Sequence, residues 1–326
     1  MERAASVMPA PRRTMLRFRA RLYACIRAFF EQRGVLEVDT PILSAAGNTE
    51  PNIAGFHTRF TGHVDAGSPD RYLRTSPEYP LKRLLAEGLG DCYELGRVFR
   101  NGEAGQRHNP EFTMLEWYRT GFDDVRLARE TVELVQQARH LAGQGDAVVR
   151  TVTYRDLFRQ SVGVDPFDAD IDALRAPLTD YRIDPDGLTR DDWLDLLLTH
   201  RIQPHFGADQ VTVIHDWPAT QCALARIRPG TPPVAERFEL YLGPHELANG
   251  YHELDDATEQ RQRFERENQR RHERGQPVLP LDERLLASLD AMPPCAGVAL
   301  GIERLLMCLL GTDRIADVMA YTFDRA

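Results

Sequence analysis

The sequence predicts an α+β fold, an antiparallel sheet with helices packed around it. Three observations predict it. Runs of strand-like composition come in pairs near both ends of the chain, at 93–118 and 238–254. Helical patterns are inserted between those pairs and do not alternate regularly with single strands. No Gly-rich phosphate loop is present, which argues against a Rossmann or P-loop design.

Taken in order, residues 14–33 read as an amphipathic helix with Leu16, Leu22, Ile26, Phe29 and Phe30 inward, ending at Gly34. Residues 35–38 read as a short strand before Thr40-Pro41. Residues 44–70 are loop-rich, 72–75 form a strand, and a helix over 78–87 follows Pro77. The pair at 93–118 flanks a polar loop. Residues 127–141 have helical spacing, and 143–150 form a polar break. Residues 154–206 read as helices separated by Asp/Pro/Gly turns. Strands are expected at 211–214, 238–243 and 247–254, and a charged helix at 257–273. Residues 297–311 read as a strand, a turn and a helix.

At 326 residues, 42% hydrophobic and 27% charged, the composition is globular. No apolar run reaches the roughly 18–20 residues of a membrane span, so no membrane association is expected. The Arg-rich N-terminal region lacks a hydrophobic signal core and reads as part of the first helix, the alternative being a transit peptide. Five dispersed cysteines without Cys-x-x-Cys spacing indicate neither a disulfide framework nor a zinc site, and a reducing cytoplasm fits. Lys82 is the sole lysine; Arg supplies the remaining basic charge, which suggests genomic base composition more than chemistry. The net charge of −9 argues mildly against a large RNA partner.

Chemistry concentrates in three places. On a strand, side chains alternate faces, so Phe112, Met114, Glu116 and Tyr118 share one face and Thr113, Leu115 and Trp117 the other. An aromatic ring, a carboxylate and a phenol on one face suit a pocket wall; the alternative is an ordinary charged hairpin. Glu239, Glu246, Asn249, Tyr251 and Glu253 form the second cluster. Paired carboxylates suit a hard divalent cation bound with phosphates. Alternation puts Glu246 out of phase with Glu253, so a bulge near 248–250 is needed for both to face one site. The alternative is a solvated charged hairpin. Third, Gly301 ends a strand and Arg304 lies in the first turn of the next helix, where anions are favoured.

These segments resemble class II aminoacyl-tRNA synthetases, in the lysine-type form. Phe99-Arg100 and His108-Asn109-Pro110-Glu111-Phe112-Thr113 match the family's second motif. Residues 35–41 resemble its first motif, which implies a homodimer. Residues 237–254 and the run from Gly297 to Arg304 resemble the segment before motif 3 and motif 3 itself. The resemblance implies a class II-like antiparallel sheet flanked by helices, with ATP and Mg2+ as cofactors. It places Arg100 and Arg304 in catalysis, Arg100 bridging the amino-acid carboxylate and the α-phosphate and Arg304 holding the terminal phosphate. It assigns ATP to Arg100, Asn101, Gly102, Asn109, Phe112, Glu246, Leu247, Gly301 and Arg304, and the metal to Glu239 and Glu246. It assigns a lysine-like amino acid to Ser76, Pro77, Glu78, Glu116, Tyr118, Asn249, Tyr251, Glu253 and Ala299, with Glu253 receiving the distal ammonium. Two departures stand out: Gly102 occupies a usual Glu position, with Glu103 following, and Ala299 occupies a usual Gly position.

The resemblance covers nearly the whole chain as a single catalytic domain, residues 1–326, and leaves no room for the family's N-terminal anticodon-binding barrel. It is nearest to the stand-alone paralogues that attach (R)-β-lysine to elongation factor P. Thr75-Ser76-Pro77-Glu78, residues 109–118, residues 246–253 and residues 297–301 carry it. It implies elongation factor P as acceptor, with tRNA unlikely. The alternatives are an RNA-charging truncated synthetase and a non-catalytic sensor of ATP or amino acid.

Overall fold

The computed structural model describes residues 10–63, 65 and 67–326. Helix α1 (Ala10–Glu31) buries Met15, Leu22, Ile26, Phe29 and Phe30. Met15, not Leu16, begins the inward stripe, because steps of seven, four and three residues keep one helical face; Leu16 lies off it, half-buried. Four short strands follow: β1 (Leu36–Glu37), β2 (Leu43–Ser44), β3 (His57–Arg59) and β4 (Asp70–Leu73). Then come α2 (Glu78–Ala86), β5 (Cys92–Phe99), β6 (Glu111–Thr120) and α3 (Asp124–Leu141). Strand β7 (Val148–Thr153) leads to α4 (Tyr154–Val162), α5 (Ile171–Arg175) and α6 (Arg190–Leu197). The chain continues through β8 (Gln210–Pro218), β9 (Ile227–Arg228), β10 (Val234–Leu242) and β11 (His245–His252). It closes with α7 (Ala257–Glu273), α8 (Glu283–Leu286), β12 (Cys295–Gly301) and α9 (Ile302–Leu310).

Nine strands form one sheet in the order β1-β5-β6-β12-β11-β10-β8-β7, with β9 also paired to β10. Strands β2, β4 and β3 make a small second sheet. The α+β arrangement is as expected, but the main sheet is mixed. Its interior pairs are antiparallel, whereas β1–β5 and β7–β8 are parallel. Both parallel pairs are joined by long connections carrying helices, which parallel pairing requires. Strand β7 falls partly in the expected polar break. Its Val148 and Val149 are exposed at the sheet edge, so it lacks the alternating apolar signal.

One face of the sheet packs against α1, α3 and α9 through Leu115, Trp117, Phe238, Leu240, Val298 and Leu300. The other face carries two smaller cores. Tyr118, Cys92 and Cys295 join α2, α7 and α8 at one side. Ile214, Trp217 and Tyr241 join α4 and α6 at the other. The strands between these two cores keep an open face.

Candidate active site

Cross-strand register builds the floor of a cavity of about 300 Å³ on that open face. One rung runs Glu94–Glu116–Ala299–Asn249–Glu239 across five strands. The next runs Cys92–Tyr118–Gly297–Tyr251–Arg237. Residues in register on adjacent strands point to the same side, so the rungs stack carboxylates, amides and phenols over one opening. Leu240 pairs with Ala248 and Tyr241 with Glu246, which leaves Leu247 as the extra residue of a bulge. The bulge therefore falls at Leu247, just before the expected 248–250, and brings Glu246 into the cavity with Glu253.

One end of the cavity is acidic. Glu116 accepts hydrogen bonds from Ser76 Oγ at 2.6 Å and from the Tyr118 hydroxyl at 2.8 Å. Burial and the neighbouring Glu78 push Glu116 up to about 8. Glu253 is buried and lies 2.6 Å from the Lys82 ammonium, which also donates to Glu78 at 2.6 Å. Burial pushes Glu253 up to about 7, against the pull of Lys82. Asn249 Oδ1 is buried without a hydrogen-bond partner among the described residues. An unmatched buried acceptor is costly, and an entering ammonium would satisfy it. Gly297 is required by close approach. A Cβ there would lie 2.3 Å from the Tyr118 ring and 2.4 Å from Glu253 Oε1. Gly297→Ala is therefore expected to weaken binding of a diamine at this end by about tenfold or more while sparing a polyphosphate at the other, because overpacking costs roughly 1–3 kcal/mol. Binding of a diamine and of a polyphosphate, measured for the two proteins, checks it.

The other end is basic. Arg304 lies in the first turn of α9, whose N-cap is Gly301. Its Nη1 donates to the Glu246 carbonyl at 3.1 Å, and its Nη2 donates to His108 Nε2 at 2.9 Å. Burial and the Arg304 charge lower the His108 pKa, which keeps the ring a neutral acceptor. Arg100 immediately follows β5, its guanidinium 5.2 Å from the Phe112 ring centroid and its Nη1 3.7 Å from Glu103. Arg100 Nε is buried without a partner among the described residues, a donor free for an anion. Arg107 lines the same end. A cavity acidic at one end and basic at the other fits a molecule carrying ammonium groups and a carboxylate, next to a polyphosphate.

Glu239 ends the first rung on the same side of the sheet but is buried beside the cavity and does not line it. It accepts from Arg237 Nη2 at 2.6 Å and from the Tyr241 hydroxyl at 2.5 Å. Burial and the nearby Glu246 raise it to about 7. No group of three or more metal-ligating side chains gathers among the described residues. Two mutually repelling carboxylates near a basic end nevertheless suit a magnesium ion that takes its remaining ligands from a phosphate and water.

Of the residues singled out from the sequence, Arg100, Asn109, Phe112, Glu246, Leu247, Gly301 and Arg304 line the cavity at its basic side. Ser76, Glu78, Glu116, Tyr118, Asn249, Tyr251, Glu253 and Ala299 line the remainder. Four do not line it. Asn101 follows β5 in a turn, its N–H donating to Ala54 O. Gly102 has φ +85°, a left-handed conformation that favours glycine, and the adjacent Glu103 reaches the cavity instead. Pro77 is the N-cap of α2, and Glu239 is covered. Asn109 already bonds within the protein, its Nδ2 donating to Glu111 O and its Oδ1 accepting from Phe323 N–H. Lys82, read from the sequence as a mark of base composition, instead pairs with Glu78 and Glu253 behind the cavity wall; its spacing of four from Glu78 on the expected helix is the local signal for the first of those pairs.

Residues 2–325 match the family model of class II tRNA synthetases (D, K and N). The chain belongs to that family. Within it, the chain is 46% identical to a protein of Klebsiella pneumoniae named elongation factor P–(R)-β-lysine ligase, over 330 aligned positions and the full length of both. Proteins of the same name from Salmonella arizonae and an Enterobacter species are 46% and 44% identical, again over the full length of both chains. Among the described residues, no helix is long and apolar enough to cross a membrane.

Proposed function

We propose that this chain is an ATP-dependent ligase that activates (R)-β-lysine as an aminoacyl-adenylate and transfers it to a lysine ε-amine of elongation factor P. The observation that carries the activation step is the two-ended cavity, acidic at Glu78, Glu116 and Glu253 and basic at Arg100, Arg107 and Arg304. The name shared by its full-length relatives supports the acceptor. In the first step a carboxylate oxygen attacks the α-phosphorus and the bond to pyrophosphate breaks. Arg100 bridges the two anions that must meet, and Arg304 holds the terminal phosphate at a helix N-terminus. Phe112 offers its ring to the adenine. In the second step the acceptor amine attacks the acyl carbon, loses a proton, and AMP leaves. Magnesium, held by Glu246 and Glu239, would neutralise phosphate charge when bound. Amino-acid-dependent ATP–pyrophosphate exchange with (R)-β-lysine tests the first step; exchange no faster than without amino acid would reject it.

Moving the amino group from the α to the β carbon changes the space needed near the carboxylate. Ala299 sits between Glu116 and Asn249 on the central rung. Ala299→Gly is expected to improve α-lysine relative to β-lysine by about tenfold in kcat/KM, as one methyl contact is worth roughly 1–3 kcal/mol. The ratio for the two isomers in both proteins checks it; an unchanged ratio removes Ala299 from selectivity.

We also propose a cytoplasmic homodimer built on the β1 side of the sheet, where Leu36, Ile42 and Leu43 are exposed. Sedimentation as a monomer at micromolar concentration would contradict it.

A further inference from the structure

The acidic end contains a cation of its own. Lys82 is 1% exposed, with its ammonium 2.6 Å from both Glu78 Oε1 and Glu253 Oε2. It is one lysine among 40 lysine and arginine residues. Genomic base composition explains why the others are arginine; it does not explain why this one is not. The site does. A compact ammonium on a flexible stem reaches both carboxylates at once, where an arginine would set a wider planar fork between them.

We propose that Lys82 is a specificity-determining residue that sets the charge of the amino-acid end so that two ammonium groups balance it. Glu78, Glu116 and Glu253 together carry up to three negative charges, and Lys82 cancels one. A diamino acid with its carboxylate at Arg100 brings two ammonium groups to the two charges left. Without Lys82, two buried carboxylates, Glu116 and Glu253, and the half-buried Glu78 would face two ammonium groups, and burial would favour a proton on Glu253. A neutral Glu253 holds an ammonium poorly. The other titratable groups facing this cluster are Tyr79 on α2, Cys92 on β5, Tyr118 on β6, Tyr251 on β11, Glu267 on α7 and Cys295 on β12, and burial raises the pKa of all six. The phenols and thiols carry no charge near neutral pH, and Glu267, pushed up to about 7, accepts from the Thr49 hydroxyl and not from Lys82, so the balance at the Lys82 ammonium is set by the carboxylates it pairs with, Glu78 and Glu253, and by neighbouring Glu116.

The inference deepens the proposed function and rests on it. Its test compares wild type with Lys82→Met in pyrophosphate exchange. At about pH 7 the variant's KM for (R)-β-lysine is expected to rise about tenfold or more, with KM for ATP within about twofold. Toward about pH 8.5, where Glu253 regains its charge, the deficit relative to wild type is expected to shrink to about threefold or less. A loss equal at both pH values, shared by both substrates, or absent altogether overturns the proposal. Inactive wild type would instead indict the proposed function. A second measurement needs no substitution. As the only lysine, Lys82 gives the wild-type protein a single side-chain resonance when isotopically labelled lysine is incorporated. That resonance is expected to shift on saturation with (R)-β-lysine and to stay put with ATP alone. A resonance indifferent to the amino acid overturns the assignment even where the variant fails to fold.

Discussion

Arg304→Ala is expected to lower amino-acid-dependent ATP–pyrophosphate exchange by about 10²–10³-fold, the usual cost of removing one preorganised charged donor from a reacting centre. The side chain is preorganised on both sides. The Glu246 carbonyl accepts from one terminal nitrogen and a neutral His108 from the other. It also stands at the N-terminus of α9, where the helix dipole and unbonded N–H groups already favour phosphate. Alanine keeps the helix terminus but loses the charge. Arg304→Lys is expected to recover only part of the loss, because a point charge replaces a fork that can grip two oxygens. Exchange measured on folded variants checks both. An Arg304→Ala enzyme with wild-type exchange would remove this residue from the phosphate end.

Glu253→Gln is expected to cost about 10²-fold or more in kcat/KM for α-lysine and β-lysine alike, since both present the same distal ammonium. Losing one member of a buried charge pair typically costs roughly 2–5 kcal/mol. Two effects combine here. The substrate loses an anionic partner, and Lys82 is left with Glu78 alone. The effect is confined to the amino acid, so KM for ATP is expected to stay within about twofold to threefold. Comparing kcat/KM for the two isomers with KM for ATP decides the matter. A loss seen with only one isomer, or shared with ATP, would contradict this placement of Glu253.

The pH dependence of amino-acid binding follows from the same end of the cavity. Glu253 and Glu116 are raised to about 7 and about 8, burial being the largest cause for each. The free site therefore holds protons at neutral pH that an ammonium-bearing substrate must displace. Raising the pH through this range ionises both groups, so KM for the amino acid is expected to fall between about pH 6 and pH 8. It is expected to rise again only where the substrate amines themselves lose charge. A KM flat across that window would mean that neither carboxylate meets the ammonium groups.

Much of the site was legible because strand parity is a local rule. Alternation alone grouped Phe112, Met114, Glu116 and Tyr118, and all four line one cavity. It also required a bulge between Glu246 and Glu253, misplaced by only a residue from Leu247. Helix α7 matches its expected bounds because strong charge patterning and Asp256 mark its start. What escaped depends on contacts between distant elements. Nothing local to Lys82 shows that β11 delivers Glu253 to it. Nothing local to Glu239 shows that Arg237 and Tyr241 engage both its oxygens. The parallel edges of the sheet escaped for the same reason, since pairing direction is set by where a long connection returns the chain.

The central claim is that an activated diamino acid made in this cavity passes to a protein lysine. The most direct test incubates the enzyme with ATP, labelled (R)-β-lysine, and either elongation factor P or tRNA, then follows the label by intact mass. The predicted result is one added β-lysyl group on elongation factor P, dependent on ATP, accompanied by AMP, and absent when the acceptor lysine is changed to arginine. Label transferred to tRNA while elongation factor P stays unmodified would contradict the account.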